Sequence, residues 1–195
     1  MSAHVDTFVR DNLPARDQLP EFKFTLPELQ FPAQYNASSM LDAAIARGFG
    51  DRIGVSDGRE AVTYAQLLQH VNIIANTLVN LGLKPGNRVL VHGSRGEFSL
   101  VMWWAIWRAG GVAVGGMPML RWRELQTLID KAQISHAIVD DALEIEARAD
   151  LPHQLLNWHN LAEQSQGMSD EFRPVATAAD DPALIAFTSG TTGVP

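Results

Sequence analysis

Cysteine is absent from the 195 residues, which excludes a disulfide framework, a thiolate zinc site, an iron–sulfur cluster and a cysteine nucleophile. Also missing is any block of basic residues of the kind that tracks a phosphate backbone, and the formal charge is −7. Nucleic acid is therefore not an expected partner. The longest apolar run, Leu100 to Trp107, falls far short of the roughly 20 residues that span a bilayer. The first twenty residues carry Asp6, Asp11 and Asp17 and no apolar stretch of signal-peptide type. No internal repeat is visible. Hydrophobic residues at 46% and charged residues at 19% are ordinary for a soluble protein with a sizeable core. These absences predict a soluble, cytoplasmic chain without a membrane span.

What is present falls into two parts. Residues 1–35 hold Pro14, Pro20, Pro27 and Pro32 beside Phe22, Phe24, Phe31 and Tyr35. Proline at that density prevents long helices and sheet interiors, so this stretch reads as an extended arm whose aromatics lie on the surface of a body. Residues 36–195 read as an α/β lobe. It opens with a short helix on Met40, Leu41, Ala44 and Ile45, and a hairpin of Ile53–Ser56 and Glu60–Val62 around Asp57-Gly58 follows. Thr63 then caps a helix on which Tyr64, Leu67, Leu68, Val71, Ile74, Ala75, Leu78 and Leu81 recur at steps of three and four.

Beyond Gly82 the pattern alternates. Arg88–His92, Val112–Val114 and His136–Val139 read as strands, Glu97–Ala109 and Arg121–Ala132 as helices, and 115–118 as a Gly-Gly-Met-Pro corner. That order predicts a three-layer α/β sandwich with a mainly parallel sheet and right-handed crossovers. Residues 140–180 are less regular: Asp140, Asp141, Glu144, Glu146 and Asp150 read as a solvated face, and 165–181 as a linker. Ala183–Phe187 is a final strand candidate, followed at once by Thr188-Ser189-Gly190-Thr191-Thr192-Gly193-Val194-Pro195.

A strand that runs into a Gly/Ser/Thr loop is a recurring way to hold phosphate, because glycines let backbone N–H groups converge on an anion and hydroxyls add uncharged donors. A polar surface turn is the plain alternative. The Walker spacing does not fit, and Gly93-x-x-Gly96 lacks the first glycine of a dinucleotide fingerprint. His92 occupies the first glycine position that a nucleophile elbow around Ser94 requires. His153 and His159 are six apart, which suits no metal pair, and no acid–base pair is visible. Trp103, Trp104 and Trp107 could line an aromatic pocket, but Trp103 and Trp107 share a helical face and read as core packing, while Arg121, Arg123 and Lys131, diluted by Glu124 and Asp130, read as a solvated helix.

The string Thr188–Pro195 resembles the T-S-G-T-T-G-x-P-K signature of the adenylate-forming superfamily, which includes acyl-CoA synthetases, luciferases and nonribosomal peptide adenylation domains. It supplies every position but the final lysine. Upstream, Val62-Thr63-Tyr64 with Leu67 resembles T-Y-x-x-L. Leu81 to Val89 resembles L-G-x-x-x-G-D-R-V with Asn87 for Asp, and Trp107-Arg108-Ala109-Gly110-Gly111 through Pro118 resembles K-A-G-x-x-x-x-P with Arg108 for Lys. These elements cover most of residues 40–195 in the family's order. The arm, with Asp11-Asn12-Leu13-Pro14, Pro20-Glu21-Phe22, Leu26-Pro27-Glu28-Leu29 and Phe31-Pro32, is similar to that of aryl-CoA ligases of the 2-aminobenzoate or benzoate type.

The resemblance implies an AMP-forming acid–CoA ligase. A carboxylic acid and Mg-ATP give an acyl-adenylate and pyrophosphate, and coenzyme A thiol then displaces AMP. It implies that Thr188, Ser189, Gly190, Thr191, Thr192 and Gly193 grip the β- and γ-phosphates, and it places no catalytic residue and no metal ligand in this stretch. The fold expected is the first lobe of the ligase's N-terminal domain, ending inside the phosphate-binding loop. The rest of the ligase is absent, so the chain alone is expected to be inactive, and self-association into homo-oligomers through the uncovered face is expected. Two readings from other classes stay open: a stand-alone nucleotide-binding module, and an interaction domain that kept the fold without the chemistry.

Overall fold

Thr63 starts the helix that the periodicity marks. Its hydroxyl accepts the Gln66 N–H at 3.2 Å while the Gln66 side chain accepts the Thr63 N–H at 2.9 Å, a reciprocal cap. Helix α3 then runs Tyr64–Asn80 and buries Leu67, Val71, Ile74, Ala75 and Leu78. Gly82 stops it at φ 93°, with its N–H on Val79 O and the Leu83 N–H on Leu78 O. The structure, a computed structural model, describes residues 1–56, 58, 60–93, 96–139 and 155–188.

Among these residues the α-helices before α3 are α1 (Phe8–Asp11) and α2 (Ser39–Ala44), the latter continued by a π-helical turn over Ile45–Phe49, and the strands before it are β1 (Ile53–Ser56) and β2 (Ala61–Thr63). The two strands pair antiparallel as the expected hairpin; its Asp57 lies outside the described residues. After α3 come β3 (Arg88–His92), α4 (Glu97–Arg108), β4 (Val112–Gly116), α5 (Trp122–Ala132), β5 (His136–Val139), β6 (Leu155–Asn157), α6 (Trp158–Gln164) and β7 (Leu184–Ile185). The last five strands form one parallel sheet in the order β6-β5-β3-β4-β7.

Strands buried on both faces need helices on both. On one face α3, α4 and α6 pack Val71, Leu78, Met102, Ile106 and Leu161 against Val89, Val91, Ala113 and Ile138. On the other, α5 sets Leu125, Leu128 and Ile129 against Leu90, Val114 and Ala137. These are the three layers expected from the alternation of elements. Each fully buried Leu or Ile contributes about 2 kcal/mol by removal from water. Helix α4 ends by the same device as α3: Gly110 takes φ 79° and Gly111 N–H returns to Ile106 O at 2.8 Å. A Cβ on Gly110 would also come 2.9 Å from Val175 Cγ1.

Within residues 155–181 two outcomes differ from the sequence reading. The irregular region contains β6 and α6, too short for periodicity to register. Residues 165–181, expected as a linker, lie against the body as a belt. Asn72 donates to Asp170 O, Asn76 to Ser169 O and Glu171 O, and Asn36 to Trp107 O and Val175 O. A non-periodic segment is held because side-chain amides of the helix and of the residue-36 turn meet its carbonyls. Arg108, which is buried, joins the same belt: it pairs in a fork with Asp42 at 2.7 and 2.9 Å and donates to Phe172 O at 2.9 Å.

The first residues are fastened to the amino edge of the sheet. Val5 and Asp6 donate their N–H groups to Pro85 O, Asp6 accepts from Arg88 and Asn87, and the Arg88 guanidinium lies 4.7 Å over the Phe8 ring. Arg88 also donates to Ala132 O, Gly86 O and Gln133 O. Farther along the arm, short 3₁₀ turns occupy Arg16–Gln18 and Pro27–Leu29. Phe22, Phe24 and Phe31 are exposed, Phe22 by 68%, and Phe22 stacks on Phe24 with ring centroids 6.1 Å apart.

Two expected outcomes test these attachments. Asp42→Ala strands the buried Arg108 charge and costs about 2 kcal/mol, reduced from a fully buried pair because Asp42 is partly solvated. Replacing both residues (Asp42→Ala with Arg108→Met) recovers much of that loss. Urea unfolding measures it, and a single-variant loss within about 0.5 kcal/mol would show that the fork adds nothing beyond an ordinary surface site.

The second outcome concerns pH. Burial raises the Asp6 and Asp181 carboxyls, but hydrogen bonds outweigh it. Those from Arg88, the Phe8 N–H and Asn87 hold Asp6 below the ordinary 3.8, and those from Ser2, the Ala178 N–H and Arg10 do the same for Asp181. Burial holds His4 below its ordinary 6.5. All three groups contribute stability above their ordinary values and lose it as pH falls. The attachment therefore loosens first below about pH 6.5, through His4, and again below 3.8. Exchange of the Val5 and Asp6 amides, corrected for intrinsic rates, follows both stages. His4→Gln removes the first, and a single stage in the unsubstituted chain would contradict this account.

Candidate functional site

The strand order determines where a site can form. From β3 the chain crosses by α4 to β4 on one side, and from β4 it returns by α5 to β5 on the other. The direction reverses beside β3, and in open α/β sheets ligands bind in the crevice at the carboxyl ends of the strands at such a point. A cavity of about 290 Å³ lies there, walled by Val91, Ser99, Trp103, Gly115, Gly116 and Met117.

Its floor is the end of β4 at Gly115 and Gly116. A Cβ on Gly115 would stand 3.2 Å from Trp103 Cζ2, and one on Gly116 would stand 3.2 Å from His92 Nδ1. The pair expected as a corner instead ends β4, and the corner begins only at Met117. Trp103 packs edge-on against Trp107, ring centroids 5.8 Å apart, so the aromatic face of α4 serves as packing and also lines the crevice. Trp107 Nε1 donates to Ala183 O at 2.7 Å, fastening α4 to the residue before β7. His92 is buried at the end of β3; burial lowers its pKa, and a 3.3 Å contact from Nδ1 to the Gly116 carbonyl opposes that shift. Its imidazole is thus neutral above the ordinary 6.5.

Strand β7 lies one place further out, paired in parallel with β4 through Ala113↔Leu184 and Val114↔Ile185. Thr188 is exposed three residues beyond Ile185, and Met117 lies three residues beyond Val114. Of the sequence-derived loop, Thr188 is therefore seen at the carboxyl edge, while Ser189, Gly190, Thr191, Thr192 and Gly193 lie outside the described residues. So do Ser94, His153 and the acidic run at 140–150. His159 sits on α6, 3.4 Å from Glu163. Among the described residues no group of three or more His, Asp or Glu is placed to hold a metal ion, and no helix is long and apolar enough to cross a membrane.

Of the crevice residues, sequence reasoning weighed Trp103 as a pocket wall and set core packing above it; it did not single out Gly115, Gly116 or Met117 as a site. Only the strand order identifies Gly115 and Gly116 as its floor, although two glycines closing a buried strand are a signal of close approach.

Comparison with known proteins gives a consistent picture. A family model described as AMP-binding enzyme matches residues 42–195. The uncharacterized acyl–CoA ligase YtcI of Bacillus subtilis is 28% identical over 181 residues, covering 86% of this chain and 34% of that protein. The 4-hydroxybenzoate–CoA/benzoate–CoA ligase of Rhodopseudomonas palustris is 29% identical over 190 residues, covering 83% of this chain and 32% of that protein. The crystal structure of the anthranilate CoA ligase AuaEII in complex with anthranoyl-AMP superposes with a TM-score of 0.77 over 84% of this chain and 33% of its own. At 19% identity that likeness concerns the fold. The chain spans about a third of the length of these curated relatives.

If Gly115 keeps the crevice open, Gly115→Val closes it by driving Trp103 from its place. The expected result is a changed near-ultraviolet circular dichroism spectrum with far-ultraviolet signal retained, and a stability loss of about 1–3 kcal/mol from overpacking. An unaltered tryptophan environment would show that the two residues do not constrain each other.

Proposed function

The chain belongs to the AMP-binding enzyme family, and from that premise we propose that it forms the phosphate-gripping first lobe of an AMP-forming acid–CoA ligase acting on an aromatic carboxylic acid. The observation that carries this reading is the position of Thr188, exposed at the carboxyl end of β7 and next to the strand whose Gly115 and Gly116 floor the crevice. A phosphate chain held beside Gly115 and Gly116 meets no side chain from the end of β4.

In this mechanism an acid carboxylate oxygen attacks the α-phosphorus of ATP, the bond to the bridging oxygen breaks, and pyrophosphate leaves. The thiol of coenzyme A then attacks the acyl carbon and AMP departs. Hydroxyls of Thr188, Ser189, Thr191 and Thr192 donate to the β- and γ-phosphate oxygens, and Gly190 and Gly193 let backbone N–H groups converge on them. Charge moves onto the pyrophosphate as the bond breaks, so donors fixed at those oxygens stabilise the transition state more than the ground state. Magnesium would arrive on the phosphates of ATP, as is usual for that ion; the described residues offer it no cluster of ligands, and no step is assigned to it. The aromatic preference is supported by the arm's resemblance and by relatives such as the benzoate ligase.

ATP–pyrophosphate exchange tests the proposal in a polypeptide of the relatives' full length that opens with this chain. Benzoate or 2-aminobenzoate is expected to drive exchange, and octanoate much less. Thr188→Val and Thr191→Val are each expected to slow exchange by a factor on the order of 10², and the 195-residue chain alone is expected to show none. A preference for the fatty acid would overturn the aromatic assignment, and undiminished exchange in both threonine variants would overturn the role of the loop.

A further inference from the structure

A second cavity, of about 440 Å³, lies away from the crevice, where α3, α4 and α6 converge. Closely packed interiors leave few voids larger than a water molecule, and this one falls within the size range of small-molecule sites. Its wall is apolar: Ile73, Ile74, Phe98, Val101, Trp158 and Ala162. Phe98 and Trp158 meet edge to face, ring centroids 5.0 Å apart at 77°, an arrangement that can receive a further aromatic ring.

His70, Glu97 and Ser165 add polar groups to the lining. Glu97 Oε1 lies 2.6 Å from His70 Nδ1, and both side chains are partly exposed. A carboxylate has about four acceptor sites, so the contact with His70 leaves Glu97 able to accept from a ligand. The chain carries a formal charge of −7, and a field of that sign favours cations over anions. Ser99 and Trp103 line the crevice from α4, whereas Glu97, Phe98 and Val101 of the same helix line this cavity. The two sites are therefore separate.

We propose that this cavity is a binding site for an aromatic amine, with its ring packed against the Phe98–Trp158 pair and its ammonium donating to Glu97. Ring burial supplies the affinity and the carboxylate selects the charge.

Calorimetric titration of the chain with tryptamine and with indole-3-propionate tests it, since the two share a ring and differ in the sign of the charge. Saturable binding of tryptamine is expected, at least about tenfold tighter than the acid. Ala162 is exposed on α6, so Ala162→Trp fills the cavity without disturbing the core and is expected to abolish the tryptamine signal. Glu97→Gln is expected to erase the preference for the amine while leaving the fold intact by circular dichroism, and it decides the matter if Ala162→Trp does not fold. Absence of saturable tryptamine binding, equal binding of the acid, or tryptamine binding that survives Ala162→Trp would each overturn the proposal.

Discussion

Parallel strands buried on both faces cannot be joined by tight turns. They are joined by crossovers, of which α4, α5 and α6 are the described helices, and the rest of the structure depends on that constraint. Because every crossover returns the chain to the same edge, β3, β4, β5, β6 and β7 all end on one side. Because α4 and α5 cover opposite faces, the order reverses beside β3 and opens a crevice there. The position of Thr188 follows from the same rule. It leaves a strand parallel to β4 and so emerges at that edge.

What holds the layers in register is a small set of polar residues at the margins. Arg88, buried at the start of β3, donates to carbonyls at the end of α5 and pairs with Asp6. It thereby ties a strand, a helix and the first residues together. Arg108 does the equivalent at the end of α4, joining Asp42 to the belt at Phe172. A buried guanidinium is costly unless its charge is paired and most of its donors are met; Arg108 meets this through its two terminal nitrogens while its Nε has no partner, so each of these residues specifies the position of several segments at once. The three-way Schellman-type endings at Gly82, Gly110 and Gln133 perform the same task for the helix termini, with Gln133 accepting a left-handed φ of 47° where the others use glycine.

Helix α4 connects the two cavities. Its tryptophans pack the core, wall the crevice through Trp103 and reach β7 through Trp107. Its first turn forms one side of the second cavity. A helix with apolar residues around most of its circumference is what such a position requires, since it faces the sheet, α3 and two concave surfaces.

The strongly periodic elements were legible in the sequence. The stripe from Tyr64 to Leu81, the cap at Thr63, the strand at Arg88–His92 and the helix expected over Arg121–Ala132, which starts one residue later, follow from local spacing, and the parallel alternation follows from their order. The family was legible too, in Thr188–Pro195 and the motifs before it. The rest depended on contacts that local spacing does not encode. Residues 165–181 read as a linker because the belt has no period, and it is held by amides of Asn36, Asn72 and Asn76, up to 139 residues away in the chain. Gly115 and Gly116 read as a turn, and only the strand order β5-β3-β4 makes them the floor of a crevice. By itself, then, the sequence determined the elements, their alternation and the family, since these are set by residues near one another along the chain. Tertiary structure alone decided where the strands end together, what the belt touches and which side chains meet at a cavity, because those depend on burial between segments far apart.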